Sequence, residues 1–159
     1  SILSKTLIDP SLKGMGTTVS MVTLARHMAF WGHVGDSRIY LYRDGEFKQI
    51  SVDHTIVQVL LEKGKITEEE AMDHPQRHVL TRAVGVDENL VVDSGAFEVQ
   101  PKDRILICSD GLTSFIQKQE LYDAIGDYRR TEREIINDLF ARVYENGAKD
   151  NITAILTTI

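Results

Sequence analysis

Cysteine is nearly absent. Cys108 is the single cysteine in 159 residues, so no internal disulfide can form and no thiolate cluster exists for zinc. It lies inside the apolar run Ile105 to Cys108, which marks it as core rather than nucleophile and fits a reducing, cytoplasmic setting. Without a cysteine cluster, zinc is the less favoured metal. Long hydrophobic runs are missing too. No stretch approaches a membrane span and no signal peptide is visible. An initiator Met is lacking, so the expectation is a fragment, or a chain without its first residues. Positive charge is in deficit, with 18 Lys and Arg against 24 Asp and Glu and a formal net charge of -6. That argues against nucleic acid and against anionic membranes as partners. An acidic protein that handles anionic substrates needs cations from local Arg or Lys, or from metal. Repeats and low-complexity segments are also absent.

What remains is an ordinary soluble composition, 42% hydrophobic and 26% charged over 159 residues, enough for one domain (1–159) with a proper core. Residues 1–13 suggest a helix end and a loop closed by Pro10. Thr17 to Leu24 is rich in β-formers, and Met28 to Val34 reads as a second strand. Gly35-Asp36 interrupts it, and Ser37 to Tyr42 alternates as a third. Asp44-Gly45 signals a type I′ hairpin returning through Glu46 to Ile50, so 28–50 reads as a meander. Asp53 is placed to cap a helix from about His54 to Lys63, stopped by Gly64. Thr67 to Glu70 is a capping box for a second short helix, which Pro75 ends. Residues 74–85 are irregular and polar, so 51–85 reads as a helical insertion between strands, a lid or flap. Strands resume with Leu90 to Val99, then Ile105 to Cys108, an apolar run typical of a strand buried on both faces. Helices follow at Gln117 to Ile125 and from Thr131, whose Glu134 completes a box. Ile135, Ile136, Leu139, Phe140 and Val143 form one stripe along the latter. Gly147 ends it, and Ile152 to Ile159 is the last strand. Strands grouped apart from helices predict an α+β fold with a mostly antiparallel sheet.

Three aspartates share one setting. Asp36, Asp110 and Asp150 each stand at a strand boundary beside a small or polar residue. Carboxylates converging on one sheet end make an oxygen-rich site suited to Mg²⁺ or Mn²⁺. Two such ions can activate a water and clamp a phosphoryl group. Independent turn or cap aspartates fit the same residues, and Asp110 also reads as a helix N-cap. Among other candidates, His33 reads as a surface or core histidine and His54 as a helix-start contact. Arg77 and Arg82 are open to either phosphopeptide contact or flap structure. Trp31 and the tyrosines read as core and cross-strand pairs.

Six ordered segments carry a resemblance: Gly14-Met15-Gly16-Thr17-Thr18; Val34-Gly35-Asp36-Ser37-Arg38-Ile39-Tyr40; Asp53-His54; His74-Pro75 with Val79 through Gly85; Asp103-Arg104 through Cys108-Ser109-Asp110-Gly111-Leu112; and Asp150-Asn151-Ile152-Thr153. From about Gly14 to Ile159 the chain resembles the metal-dependent serine/threonine protein phosphatases of type 2C, in their bacterial form. The resemblance implies two packed, mainly antiparallel sheets flanked by helices. It implies hydrolysis of phosphoserine and phosphothreonine in proteins by direct attack of a metal-activated water. Asp110 and Asp150 match aspartates of the binuclear centre, and Asp36 matches one that, with Asp110, holds a third, weaker ion. Asn151 would stand behind the ligands. Residues 51–85 match the flap linked to substrate choice, with Arg77 and Arg82 on its substrate side. Implied partners are phosphorylated proteins, with a serine/threonine kinase as a candidate. The family's opening strands carry a phosphate-holding Arg and a metal-bridging Asp-Gly, and neither motif precedes Gly14. The expectation is therefore a fold without its first strands, and a rival reading is a non-catalytic binding domain.

Overall fold

A computed structural model describes residues 2–148 and 150–159; Lys149, read with Asp150 as the lead-in to the last strand, lies outside them. The chain opens with helix α1 (Ile2–Ile8) and a 3-10 turn (Pro10–Leu12). Pro10 starts that turn rather than closing a loop, with the Asp9 carboxylate accepting from the Ser11 N–H. The strands are β1 (Val19–Ala25), β2 (Met28–Val34), β3 (Arg38–Arg43), β4 (Glu46–Gln49), β5 (Asp93–Glu98), β6 (Arg104–Cys108) and β7 (Ala154–Thr158). They form two antiparallel sheets, ordered β1-β2-β5 and β4-β3-β6-β7.

The two-residue period of the strands explains the layers. On β3 and β6, Ile39 and Ile105 face the three-stranded sheet and meet Ala29, with Val22, Trp31, Leu41, Phe97 and Ile107 packed around them. Their neighbours Tyr40, Tyr42, Leu106 and Cys108 point the other way. There they meet α4 (Asp110–Thr113), α5 (Lys118–Ile125) and α6 (Glu132–Glu145). On α6 the stripe Ile135, Leu139 and Val143 is fully buried. Strand β6 is thus apolar on both faces because a sheet covers one and helices the other.

Two sequence expectations change. The 28–50 stretch is not one meander: β2 and β3 belong to different sheets, and the chain changes sheet at 35–37. The β3–β4 hairpin does form, with positive φ at Asp44 and Gly45. Asp53 does not cap a helix. Thr55 caps α2 (Ile56–Glu62) by accepting from the Gln58 N–H. Asp53 is instead gripped by Arg38, with Nε–Oδ2 at 2.9 Å and Nη2–Oδ2 at 2.6 Å. A half-buried guanidinium fork outcompetes one backbone N–H for a carboxylate. The Thr67–Glu70 box forms at α3 (Glu68–Met72) as expected.

Candidate active site

Strand register brings the aspartates toward one end of the four-stranded sheet. Arg38 pairs with Cys108 in the antiparallel β3–β6 ladder. Two residues beyond each, Asp36 and Asp110 come opposite one another. Cys108 likewise pairs with Ala154, so the loop before β7, which carries Asp150 and Asn151, follows at the same end.

Asp36 sits on the crossing between the sheets. Gly35 adopts φ 113°, and a Cβ there would lie 2.2 Å from Thr18 Cγ2, so only glycine fits. Both flanks of Asp36 are held. The Gly35 N–H donates to His54 Nδ1 at 3.1 Å, and the His54 N–H donates to the Gly35 carbonyl at 2.7 Å. On the far side, Ser20 Oγ donates to the Ser37 carbonyl at 2.8 Å, and Thr18 Oγ1 meets Ser37 Oγ at 3.0 Å. Because Ser20 spends its proton there, its oxygen accepts from His33 Nδ1 at 2.8 Å. His33 is therefore a core histidine, 1% exposed, whose Nε2 has no hydrogen-bond partner.

Asp110 is the first residue of α4, not its cap. Ser109 holds the cap position, but its hydroxyl accepts from the Thr153 N–H at 3.1 Å, which ties the start of α4 to the 150–153 loop. Gly111 permits that approach, since a Cβ there would stand 2.3 Å from the Asn151 carbonyl oxygen. The Asp110 carboxylate is left to face the site. Burial, and then the charge of Asp110, pushes the Asp36 carboxyl above the usual carboxylate range. Asp150 is exposed, and its carboxylate accepts from the Asn151 N–H at 2.7 Å. Among the described residues no group of three or more His, Cys, Asp or Glu stands assembled as a metal cluster. Asp36 and Asp110 are near enough for the charge of one to act on the other, and Asp150 stands on the loop before β7.

The flap reaches this end through His78. Its Nδ1 stands 3.7 Å from Asp110 Oδ2, while its Nε2 accepts from Arg77 Nε at 2.9 Å. Arg77 is exposed. Arg82 is committed elsewhere, donating to Asp93 Oδ1 at 2.7 Å. A recess of about 360 Å³ opens between Gly14 and Gly16 on one side and His78, Thr81, Arg82 and Val86 on the other. Cys108 offers no competing chemistry: it is 2% exposed and burial pushes its thiol up to about 12.

The sequence does not single out His78 or Asp93, and it places His54 at a helix start without announcing its ring contacts. His54 does directly precede Thr55, the cap of α2, and at 4% exposed it is buried with its ring against Gly35. These residues lie far apart along the chain, and no local spacing announces their contacts.

The family model for protein phosphatase 2C matches residues 4–157. The serine/threonine phosphatase stp of Listeria welshimeri serovar 6b is 37% identical over 148 residues, which is 93% of this chain and 58% of that protein. The crystal structure of the Mycobacterium tuberculosis serine/threonine phosphatase PstP/Ppp superposes with a TM-score of 0.92 at 35% identity, covering 99% of this chain and 66% of that one. The catalytic domain of PstP in complex with two manganese ions gives a TM-score of 0.85 at 34% identity, over 98% of this chain and 64% of that one. The chain thus spans about 58% of the length of this curated relative.

Proposed function

The chain belongs to the protein phosphatase 2C family, and we propose that the protein hydrolyses phosphoserine and phosphothreonine in other proteins with Mn²⁺ or Mg²⁺. The observation that carries the reading is the register that sets Asp36 opposite Asp110 at a sheet end, beside the loop of Asp150. The donor set fits a hard dication. It consists of carboxylate oxygens, and the burial and neighbouring Asp110 charge that raise the Asp36 proton affinity disfavour a bare carboxylate, a cost a dication would relieve. Relatives with phosphatase names, one bound to manganese, support the same reading and favour it over a non-catalytic domain.

In this account Asp110 and Asp150 would hold a binuclear centre, and Asp36 with Asp110 would hold a third, weaker ion. Bound there, the ions would supply an activated water and neutralise phosphate charge. The chain's own residues do the rest. The β3–β6 register fixes the spacing of Asp36 and Asp110. Asn151 braces Asp150 through its N–H. The flap, residues 51–85, brings His78 to the recess, and exposed Arg77, whose Nε donates to His78, would meet a phosphopeptide through the rest of its guanidinium. Arg82 acts at the flap's root, through Asp93. The buried Cys108 takes no part, consistent with hydrolysis without a phosphoenzyme. Phosphorylated proteins are the partners, a serine/threonine kinase supplies the substrates, and the setting is cytoplasmic. Among the described residues no helix is long and apolar enough to cross a membrane.

Comparing a phosphothreonine peptide with p-nitrophenyl phosphate, each with Mn²⁺ and with chelator, tests the substrate class. The peptide is expected to be turned over with the higher kcat/KM and only with metal. Equal or better use of the small ester would instead assign a small phosphoester as substrate.

A further inference from the structure

The end of the sheet that carries Asp36 is tied to the flap by one buried residue. His54 Nδ1 accepts from the Gly35 N–H at 3.1 Å, so in the neutral ring Nε2 carries the proton. That N–H donates to Asp93 Oδ2 at 3.0 Å. Arg82 Nη1 lies 3.1 Å from the same Nε2, but two donors cannot bond each other, so the guanidinium is held by Asp93 Oδ1 at 2.7 Å. The backbone of His54 repeats the pattern. Its N–H holds the Gly35 carbonyl at 2.7 Å, and its carbonyl accepts from the flap's Thr81 N–H at 2.8 Å. Asp93, at the start of β5, belongs to the other sheet. One residue therefore joins three parts: the His54 ring holds the sheet crossing and the neighbouring sheet, its carbonyl holds Thr81, and Asp36 directly follows the Gly35 it grips.

We propose that His54 and Asp93 are positioning residues for Asp36: they fix the Gly35–Asp36 crossing, so that the Asp36 carboxylate is set for its ion, and they tie that setting to the flap root at Thr81 and Arg82. The proposal rests on the metal-dependent reading of the site. Neither residue touches the reacting atoms. Their action runs through the Gly35 peptide, whose N–H and carbonyl are both held by His54, while glycine's wide conformational freedom leaves the backbone itself little preference there. The Asp93 carboxyl sits below the usual carboxylate range, chiefly through the His54 hydrogen bond and then through Arg82, so the clamp keeps its charge at neutral pH. Partners behind metal ligands, when removed, typically lower metal affinity by roughly 10- to 100-fold.

The test uses the full-length protein and three variants, His54→Ala, His54→Asn and Asp93→Asn. Mn²⁺ binding is followed by calorimetry, amide exchange at Gly35 and Thr81 by NMR or mass spectrometry, and kcat and KM with a phosphothreonine peptide. For His54→Ala the weakest Mn²⁺ step is expected to weaken roughly 10- to 100-fold. Exchange at Gly35 and Thr81 should accelerate, and kcat should fall with KM little changed. His54→Asn, whose amide oxygen can accept from the Gly35 N–H, should recover much of the Mn²⁺ affinity. Asp93→Asn, at a half-exposed position where folding is safe, keeps an acceptor but loses the Arg82 ion pair, and is expected to fall between. A lowered melting temperature with unchanged Mn²⁺ isotherms in Asp93→Asn and His54→Asn would overturn the proposal, leaving a purely structural pair. Absence of Mn²⁺-dependent turnover in the unmutated protein would count against the phosphatase reading alone, because the isotherms and exchange rates report on the clamp independently.

Discussion

Asp110 and Asp150 show how far a single carboxylate can be read. Each stands at a strand end beside a small or polar neighbour, and that setting alone also fits a helix cap. The structure removes the cap for Asp110 by giving the position to Ser109. Asp36 was marked in the sequence by an interruption, but the reason for it, a change of sheet enforced by Thr18 against Gly35, depends on partners distant in the chain. Asp36→Ala is expected to retain Mn²⁺ binding at the main pair and to lose much of the turnover. A large drop in melting temperature with an unchanged initial rate would show Asp36 to be structural. His33 carries a different prediction. Its ring is held below the ordinary histidine value, 6.5, chiefly by burial and then by His54, whose ring lies 4.8 Å away, while Asp53 and the nearby carbonyls of Gly35 and Val52 oppose this. The folded state resists the proton that the unfolded state accepts, so the unfolded state binds more protons below that pH. The His33 contribution to stability should be complete above about pH 6.5 and be lost as pH falls through the lowered folded value. Melting curves from pH 7.5 down to about pH 5.5 check this, and His33→Asn should flatten the slope; an equal slope in the variant would assign it to other groups.

At the scale of elements, period and capping boxes were the legible signals. The boxes at Thr67 and Thr131 both open helices, and the α6 stripe buries Ile135, Leu139 and Val143 completely. Leu139→Ala is expected to destabilise the protein by about 2–5 kcal/mol, read from a denaturant midpoint, since α6 covers the Tyr40 and Leu106 face of the sheet. Pairing between strands was less legible. Strands β2 and β3 adjoin in sequence and look alike in pattern, yet they pack face to face rather than side by side, because each one's alternate residues need a different layer. The flap lacks long apolar stripes: α2 buries Val57 and α3 buries none of its residues. Amide exchange in 56–80 should be faster than in β2 and β3. Equal protection would argue against a lid; Thr81, just past that range, should be protected because His54 holds it.

Across the whole molecule, one face of the fold stands apart. The four-stranded sheet is covered on both sides, whereas the outer face of the three-stranded sheet presents Val19, Met21 and Phe30, 42%, 54% and 49% exposed. Strand β1 is also an edge without a charged residue from Val19 to Ala25. Uncovered apolar faces and uncharged edges favour association. The 159-residue chain alone is expected to gain mass with concentration in light scattering; a strictly monomeric signal at high concentration would contradict that. The two-sheet architecture and the family were legible because ordered short motifs survive at the strand ends. The clamp behind Asp36 was not, because its members, His54, Thr81, Arg82 and Asp93, meet only in the folded chain. The central claim is that carboxylates at one sheet end carry metal-dependent phosphate hydrolysis. Its most direct test is the initial rate of phosphothreonine-peptide hydrolysis at saturating Mn²⁺ by the full-length protein and by its Asp110→Asn and Asp150→Asn variants. The account predicts metal-dependent turnover in the first, and in both variants a correctly folded protein whose rate falls by more than the roughly 100-fold that loss of an outer partner costs. Near-normal turnover in either variant would contradict it.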